Sequence, residues 1–397
     1  LNSFWTDLEK ILLEAEYKIA LDPTLHSIIE IEKVEKMLEN STSQLQLIDK
    51  NFVDLIWENQ PKTQYTDIFD HPTSFAGQGR REKLDILKKF LDQNEIDHYF
   101  ISGLDNIAWL LNLRADDIKY TPLLYSYLLI SKNNKHSLYV NESSMPEILK
   151  KEIQTLININ NIENIGSIFN NINSSESIGL DFNSTTFYFL DLLRKQKINT
   201  KNLANPCILL KAIKNETELD GAKKAHIRDG VSISKYIYWL KNIMDPKSND
   251  EISVAHHLEN LRRKNELFHS LSFDTISAID KNAALPHYRV TEEGKSSFSD
   301  NNIYLVDSGG QYFDGTTDIT RTIILGEATT EQKDRFTRVL KGHIALSNHI
   351  FDKGTKGTDI DYLARKSLQE INLDYDHGTG HGIGSFSSVH EGPQRIS

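Results

Sequence analysis

The chain has 397 residues, which is enough for two or three domains. Its formal net charge is −11 and it has no cluster of Lys and Arg, so a nucleic-acid partner is not expected. The single cysteine, Cys207, excludes an intramolecular disulfide framework and fits a reducing compartment. No apolar run approaches the roughly twenty residues that cross a bilayer, so we expect no membrane partner and a cytoplasmic protein.

The sequence before residue 206 has the pattern of α/β domains. A long helix is predicted from about Gly79 to Asn94, because its apolar residues recur at helical spacing. The apolar run from Pro122 to Ser131 predicts a buried strand. Residues 154–175 are rich in Asn, Ile and Ser, and the regular isoleucines favour a surface segment of a folded domain over a disordered linker.

From about residue 206, helices are followed by strand-like runs, and this order occurs twice. The start signal Asn215-Glu216-Thr217-Glu218 opens the first helix. The predicted helices are 216–244, 250–265, 330–351 and 358–371. Strand-like runs fill 268–325 and return after 371. We interpret this as a duplicated α+β unit, in which helices back one side of a curved antiparallel sheet.

The run from Ile303 to Thr322, IYLVDSGGQYFDGTTDITRT, carries two aspartates within strand-like sequence. Asp307 ends a buried run, and Asp318 lies where β-propensity is high and aspartate is disfavoured. The turn signals Gly309-Gly310 and Asp314-Gly315 predict a hairpin that brings the two carboxylates together. Asp307 alone could instead cap the first turn, and Asp314 is interpreted as turn chemistry only. Two such aspartates on one hairpin favour a metal site.

A glycine-rich block, HGTGHGIGSFSSVHEGP, supplies His377, His381 and His390. The spacing of His377 and His381 could chelate one ion on a helix, but the glycines favour an extended strand with both side chains on one face. His287 lies in ALPHYRV, which reads as a short apolar strand. Carboxylates with a histidine are the ligands of a dinuclear hydrolytic metal site, and further histidines suit charge stabilisation and proton transfer. Each histidine alone is more often structural.

DSGGQYFDGTTDITRT and HGTGHGIGSFSSVHEGP resemble the two signature blocks of the Xaa-Pro aminopeptidases, which belong to the creatinase/prolidase ("pita-bread") metallopeptidases. NETELDGAKKAHIRDGVSISKYIYWL resembles the first helix of that catalytic domain, and residues 104–131 resemble the middle domain of the long, three-domain form. The resemblance implies a partial creatinase-like N-terminal domain and linker over 1–75. It also implies a second creatinase-like α/β domain over 76–205 and an α+β pita-bread catalytic domain over 206–397.

The resemblance also implies the roles of the candidate residues. The implied metal ligands are Asp307, Asp318 and His381, and the implied catalytic residues in the substrate cleft are His287, His377 and His390. Asp318 would bridge two divalent ions, most plausibly Mn²⁺, with Co²⁺ or Zn²⁺ as alternatives. His287 and His390 would hold the substrate. The expected partners are peptides with proline at the second position and a second copy of the chain in a homodimer.

The implied function is release of an N-terminal residue that precedes proline. A water that bridges two metal ions loses a proton readily and would attack the scissile carbonyl. One alternative is a prolidase-type dipeptidase, which a comparison of dipeptides with longer peptides would distinguish. Another is a non-catalytic peptide-binding pita-bread protein, which would have no reason to keep Asp307, Asp318 and His381 together.

The resemblance places two further glutamate ligands some tens of residues after the third histidine, whereas the sequence ends at Ser397, just after HEGPQRIS. We therefore expect a fragment of a longer protein, with a pita-bread domain that is incomplete at its C-terminus. Its metal ions would be absent or under-coordinated, and the fragment itself is expected to be inactive. The sequence starts at Leu1, which leaves the true N-terminus and any targeting signal open.

Overall fold

A computed structural model describes residues 4–397, apart from the side chain of Leu13. The chain divides into two compact units. The first unit extends to Asp70 and continues through 79–117 and 124–207, and the second contains 71–78, 118–123 and 208–397. Two short segments from the first half of the sequence thus belong to the second unit. The division into three domains stays a prediction.

Residues 4–397 form thirteen α-helices and eighteen β-strands. The helices are α1 (Phe4–Glu14), α2 (Ile28–Leu38), α3 (Phe52–Ile56), α4 (Thr73–Ala76), α5 (Arg80–Gln93), α6 (Leu104–Leu111), α7 (Glu147–Gln154), α8 (Phe187–Lys195), α9 (Pro206–Ala212), α10 (Glu216–Asn242), α11 (Glu251–Arg262), α12 (Thr330–Ser347) and α13 (Gly357–Gln369). The strands are β1 (Lys18–Leu21), β2 (Gln44–Leu47), β3 (Phe69–Asp70), β4 (His98–Ile101), β5 (Leu113–Arg114), β6 (Tyr127–Ser131), β7 (Ser137–Val140), β8 (Asn158–Asn161), β9 (Ser177–Leu180), β10 (Asn199–Asn202), β11 (Phe268–Leu271), β12 (Ile276–Ile279), β13 (Asn302–Ser308), β14 (Gly310–Tyr312), β15 (Gly315–Thr316), β16 (Ile319–Leu325), β17 (Gly380–Gly382) and β18 (Glu391–Ile396). Within residues 4–397, no helix combines the length and the apolar character that a membrane crossing requires.

The first unit is built on a six-stranded mixed sheet in the order β10-β9-β4-β6-β7-β8. Its apolar core contains Phe100, whose ring centroid lies 4.5 Å from that of Phe189 and 5.4 Å from that of Phe169. Phe169 and Ile172 of the asparagine-rich stretch are buried in this core. The prediction that this stretch belongs to a folded domain is therefore confirmed, since its apolar side chains reach the core.

The predicted helices form, and their starts are more accurate than their ends. At the start of α10, Asn215 Oδ1 accepts from the Glu218 backbone N–H at 3.0 Å, and the Glu218 carboxylate accepts from the Asn215 N–H at 3.0 Å. The helix predicted to reach Phe351 ends at Ser347. The residues that follow are exposed, so no packing holds them in a further helical turn.

The second unit consists of small antiparallel sheets backed by helices, as the α+β prediction requires. The sheets have the orders β11-β14-β15, β12-β13-β16 and β17-β18. Tyr236 on α10 and Leu258 on α11 pack with Tyr304, Val306 and Ile323 of the β12-β13-β16 sheet. In the second half of the unit, α12 packs on α13, and α13 contacts β18.

Candidate active site

The predicted hairpin is present and brings the two aspartates together. Strand β13 pairs with β16 along its length, with Asp307 opposite Thr320 and Ser308 opposite Ile319. Asp318 directly precedes β16, so it returns to the end of β13 that carries Asp307. The hairpin prediction from the turn signals is therefore confirmed.

The two carboxylates are close enough to perturb one another. The pKa of Asp318 is raised to about 6. Burial is the largest cause, the neighbouring Asp307 raises the pKa as well, and His381 has a smaller opposing effect. One carboxylate oxygen of Asp307 is buried and has no hydrogen-bond partner among the described residues. Adjacent half-buried carboxylates with an unused buried acceptor are costly unless a cation joins them. The donor set therefore fits a divalent metal ion.

His381 presents a ring nitrogen to this pair. Its Nε2 lies 3.3 Å from Asp318 Oδ2, and its Nδ1 lies 2.8 Å from the carbonyl oxygen of Gly382. Because a carbonyl oxygen only accepts, Nδ1 carries the hydrogen and donates it. The Nε2 lone pair is then directed toward Asp318, which is the tautomer of a metal-binding histidine.

His390 completes a compact cluster. One ligand atom each from Asp318, His381 and His390 lie within 4.8 Å of one another. The His381 and His390 rings are 4.1 Å apart in an edge-on arrangement. Burial lowers the pKa of His390, and the nearby His381 and His287 lower it further. His287 is therefore near enough to affect the pKa of His390, although it lies in a different part of the sequence.

His377 does not join these residues in the described structure. It is exposed, its Nδ1 lies 2.8 Å from the Gly378 carbonyl oxygen, and its ring stacks on Tyr375 at 4.6 Å. The expectation that His377 and His381 share one face of a strand is wrong, because β17 contains only Gly380–Gly382. The even-spacing argument fails where the backbone is not extended.

The loop that carries His287 is held by a buried carboxylate rather than by strand pairing. Glu251 accepts hydrogen bonds from the backbone N–H of Ile279 at 2.6 Å and of Ser296 at 2.8 Å. It also accepts from Tyr288 Oη at 3.0 Å and from Asn282 Nδ2 at 3.0 Å.

The prediction of a short strand at ALPHYRV is therefore wrong. Pro286 offers no N–H for a ladder, and Tyr288 closes a turn by donating its N–H to the Leu285 carbonyl. His287 is exposed beside this turn.

The glycine-rich block is packed from behind by aromatic rings. Phe386 is fully buried and has a left-handed backbone, with φ of 47°. Its ring centroid lies 5.0 Å from that of Phe313, 5.4 Å from His71 and 5.3 Å from His269. A bulky residue in this conformation persists only where its surroundings hold it. In the sequence, a single phenylalanine among glycines and serines is the signal for this buried ring.

Two charged residues near the candidate site have roles that the sequence did not reveal. Glu391, next to His390, is buried and pairs with Lys211 at 2.8 Å and with Lys214. Asp314, interpreted as turn chemistry only, is buried and pairs with Arg228, with 3.2 Å between Arg228 Nη1 and Asp314 Oδ1. That interpretation was incomplete because the partner lies on a helix far away in the sequence.

Comparison with known families agrees with this geometry. Residues 59–218 match the creatinase/prolidase N-terminal domain, and residues 220–397 match metallopeptidase family M24. The chain therefore carries a creatinase/prolidase N-terminal domain followed by a domain of metallopeptidase family M24. The resemblance of its two signature blocks and the predicted fold class are confirmed.

Two curated relatives are similar to this chain over most of its length. The chain is 39% identical over 388 residues to a probable Xaa-Pro aminopeptidase P of Sordaria macrospora, a match that covers 94% of this chain and 63% of the relative. It is 36% identical over 408 residues to a protein of the same description from Paracoccidioides brasiliensis, covering 98% of this chain and 65% of the relative. The chain thus spans less than two thirds of the length of these curated relatives.

Solved structures show the same fold. The X-prolyl aminopeptidase of Caenorhabditis elegans superposes with a TM-score of 0.92 at 30% identity, over 100% of this chain and 65% of that one. That protein is described as a cytosolic enzyme with a di-nuclear active site. The prolidase of Pyrococcus horikoshii has a TM-score of 0.62 at 24% identity, over 80% of this chain and 85% of that one, which shows the fold alone.

Proposed function

We propose that the natural protein releases the N-terminal residue from peptides that have proline in second position. The observation that carries this proposal is the cluster of Asp318, His381 and His390 beside Asp307, on the two blocks that define the family resemblance. The Sordaria and Paracoccidioides relatives are named for this activity, which supports the choice of substrate.

We propose that Asp307, Asp318 and His381 hold two divalent metal ions, with Mn²⁺ as the first candidate and Co²⁺ or Zn²⁺ as alternatives. The unused buried oxygen of Asp307 and the close approach of His381 to Asp318 support this ligand set. Asp318 interacts with both Asp307 and His381 and is suited to bridge two ions. When bound, ions of this kind supply a water that is acidic enough to attack an amide carbonyl near neutral pH.

The remaining histidines act on the substrate. The lowered pKa of His390 favours its neutral imidazole, which can donate a hydrogen bond to the scissile carbonyl oxygen as charge develops there. His287 is exposed on the loop held by Glu251 and can contact the peptide backbone. A catalytic role for His377 stays a prediction that its stacking on Tyr375 does not support.

The test is hydrolysis by the natural protein, with Mn²⁺ added, of Xaa-Pro-Xaa tripeptides, Xaa-Pro dipeptides and matched Xaa-Ala-Xaa tripeptides. We expect cleavage of the proline tripeptides only. Asp318→Asn should reduce turnover to background, because it removes the bridging charge; retained turnover in this variant would overturn the site. Cleavage restricted to dipeptides would favour the prolidase alternative. Peptide binding without any hydrolysis would favour the non-catalytic alternative.

The homodimer and the cytoplasmic location expected from the sequence also stay proposals. Light scattering of the natural protein during size exclusion tests the dimer, since it measures mass independently of shape. A mass equal to one chain would contradict it.

A further inference from the structure

Thr317, the residue directly before Asp318, is fully buried and bonds through each of its polar atoms. Its N–H donates to the Gly310 carbonyl at 2.9 Å, and its own carbonyl accepts from Ser272 Oγ at 2.8 Å. Its hydroxyl accepts from the Gly310 N–H at 2.9 Å and donates to Asp229 Oδ2 at 3.0 Å. The backbone and the side chain of Thr317 are therefore fixed together.

The acceptor of the Thr317 hydroxyl is itself held rigidly. Asp229 is fully buried on α10 and receives two bonds from the equally buried Arg262 at the end of α11, at 2.6 and 3.0 Å. Tyr312 Oη donates to Asp229 as well, at 2.9 Å. A two-bond carboxylate–guanidinium pair has one favourable geometry, so it fixes the position of the carboxylate. The Thr317 hydroxyl is thus tied to a point set by two helices.

The bonds of Thr317 lie where the two carboxylate-bearing strands meet. Gly310 follows Asp307 by three residues, and Thr317 is covalently joined to Asp318. A Cβ atom on Gly309 would lie 1.9 Å from the Thr317 carbonyl oxygen, so the backbones approach as closely as glycine allows. A shift of Thr317 would therefore change the separation of the two carboxylates directly.

We infer that Asp229 and Thr317 are positioning residues of the candidate metal centre, in which Asp229 holds the Thr317 hydroxyl and thereby sets the position of Asp318 relative to Asp307. This inference rests on the proposed metal-binding function. Both side chains are fully buried and use their bonds within this support, so neither is a catalytic residue. Residues that orient metal ligands in this way typically contribute about 10–100-fold to metal affinity.

The test compares Thr317→Val, which keeps the shape but removes the hydroxyl, with Thr317→Ser, which keeps the hydroxyl. Mn²⁺ affinity is measured by calorimetry and the visible spectrum of the Co²⁺ form by absorption, both on the natural protein. We expect Thr317→Val to weaken Mn²⁺ binding about 10–100-fold and to shift the Co²⁺ bands. Thr317→Ser should keep the affinity and the spectrum of the wild type.

A control separates positioning from general stability. Tyr236→Phe removes a buried hydrogen bond to Tyr304 but leaves the bonds of Asp229 and Thr317 in place. It should lower the melting temperature about as much as Thr317→Val, while its metal affinity stays near that of the wild type. Equal losses of metal affinity in Tyr236→Phe and Thr317→Val would mean that Thr317 acts only through stability, which overturns the inference.

The outcomes separate this inference from the proposed function. Metal binding by the wild type with an unchanged spectrum and affinity in Thr317→Val overturns the positioning role alone. Absence of metal binding by the wild type overturns the metal centre and the inference with it. If Thr317→Val does not fold, Thr317→Ala takes its place, since it also removes the hydroxyl but adds no methyl group against Asp229. Unchanged metal affinity in Thr317→Ala then overturns the inference.

Discussion

Both units bury charged side chains, but they use them differently. In the first unit, buried charges serve the main chain of a single folded region. Lys83 donates to the Trp109 carbonyl at 2.8 Å, and Arg114 donates to the Ala108 carbonyl at 2.7 Å. These bonds add side-chain donors to two carbonyl groups near the end of α6 that otherwise share the Asn112 N–H.

In the second unit, buried charges hold segments that carry candidate site residues. Asp229 with Arg262 supports the hairpin, Glu251 supports the His287 loop, and Glu391 lies beside His390. Paired buried charges are no more stabilising than good apolar packing, but they fix one geometry and are costly to disrupt. The second unit therefore uses buried charge to define positions rather than to add stability.

Two aspartates on the same hairpin, Asp307 and Asp314, should differ strongly in their effect on metal binding. Asp307→Asn should weaken Mn²⁺ binding by about 100-fold or more, because it removes a charge from the proposed ligand set. Asp314→Asn is the matched control, since Asp314 pairs with Arg228 instead. It should keep the metal affinity and lower the free energy of unfolding by about 1–3 kcal/mol. Calorimetric titration of both variants is the measurement, and equal affinities would contradict the site.

A substitution in the apolar core of the first unit should lower the free energy of unfolding without changing metal affinity. Phe100→Ala leaves a cavity beside Phe169 and Phe189 and should lower the free energy of unfolding by about 3–5 kcal/mol. Phe100→Leu, which keeps most of the volume, should cost clearly less. Denaturant unfolding gives the stability change, and calorimetry gives the Mn²⁺ affinity. A loss of Mn²⁺ affinity in the alanine variant would break the contrast between the two units.

Glu251 tests whether a buried charge positions a loop. Glu251→Gln should destabilise the protein by about 2–4 kcal/mol, because an amide cannot accept from all four donors. Hydrogen exchange should accelerate across residues 280–301. Glu259→Gln, on the same helix with a surface partner in Arg263, should change stability by less than about 0.5 kcal/mol. Exchange confined to α11 would show that Glu251 supports only its own helix.

Protonation of His136 in acid should destabilise the first unit. Burial lowers the pKa of His136 to about 4, and its Nδ1 accepts from the Ser131 N–H at 3.1 Å, which requires a neutral ring. Its contribution is therefore complete above the ordinary pKa near 6.5 and is lost as the pH falls toward 4. At roughly 1.4 kcal/mol per pKa unit this is at most about 3 kcal/mol.

The measurement is the free energy of unfolding between pH 7 and 4.5. His136→Asn offers Oδ1 as an acceptor in place of Nδ1 but does not titrate, so its stability should depend less steeply on pH. The same slope in both proteins would contradict the role of His136.

The sequence predicted what local patterns encode. Turn signals between two aspartates were enough for the hairpin, and the Asn215 capping pattern was enough for the start of α10. The buried supports could not be predicted, because their partners lie far apart in the sequence. Arg262 is 33 residues from Asp229, and Lys211 is 180 residues from Glu391. The strand predicted at His377 was wrong because the many glycines around it were taken to indicate an extended backbone.

Anomalous diffraction at the manganese edge, from crystals of the natural protein grown with Mn²⁺, shows directly whether metal binds at the candidate site. We expect anomalous peaks at ligand distance from Asp307, Asp318 and His381, and their loss in Asp318→Asn crystals. Peaks only at other residues, or no peak beside Asp318 at saturating Mn²⁺, would contradict it.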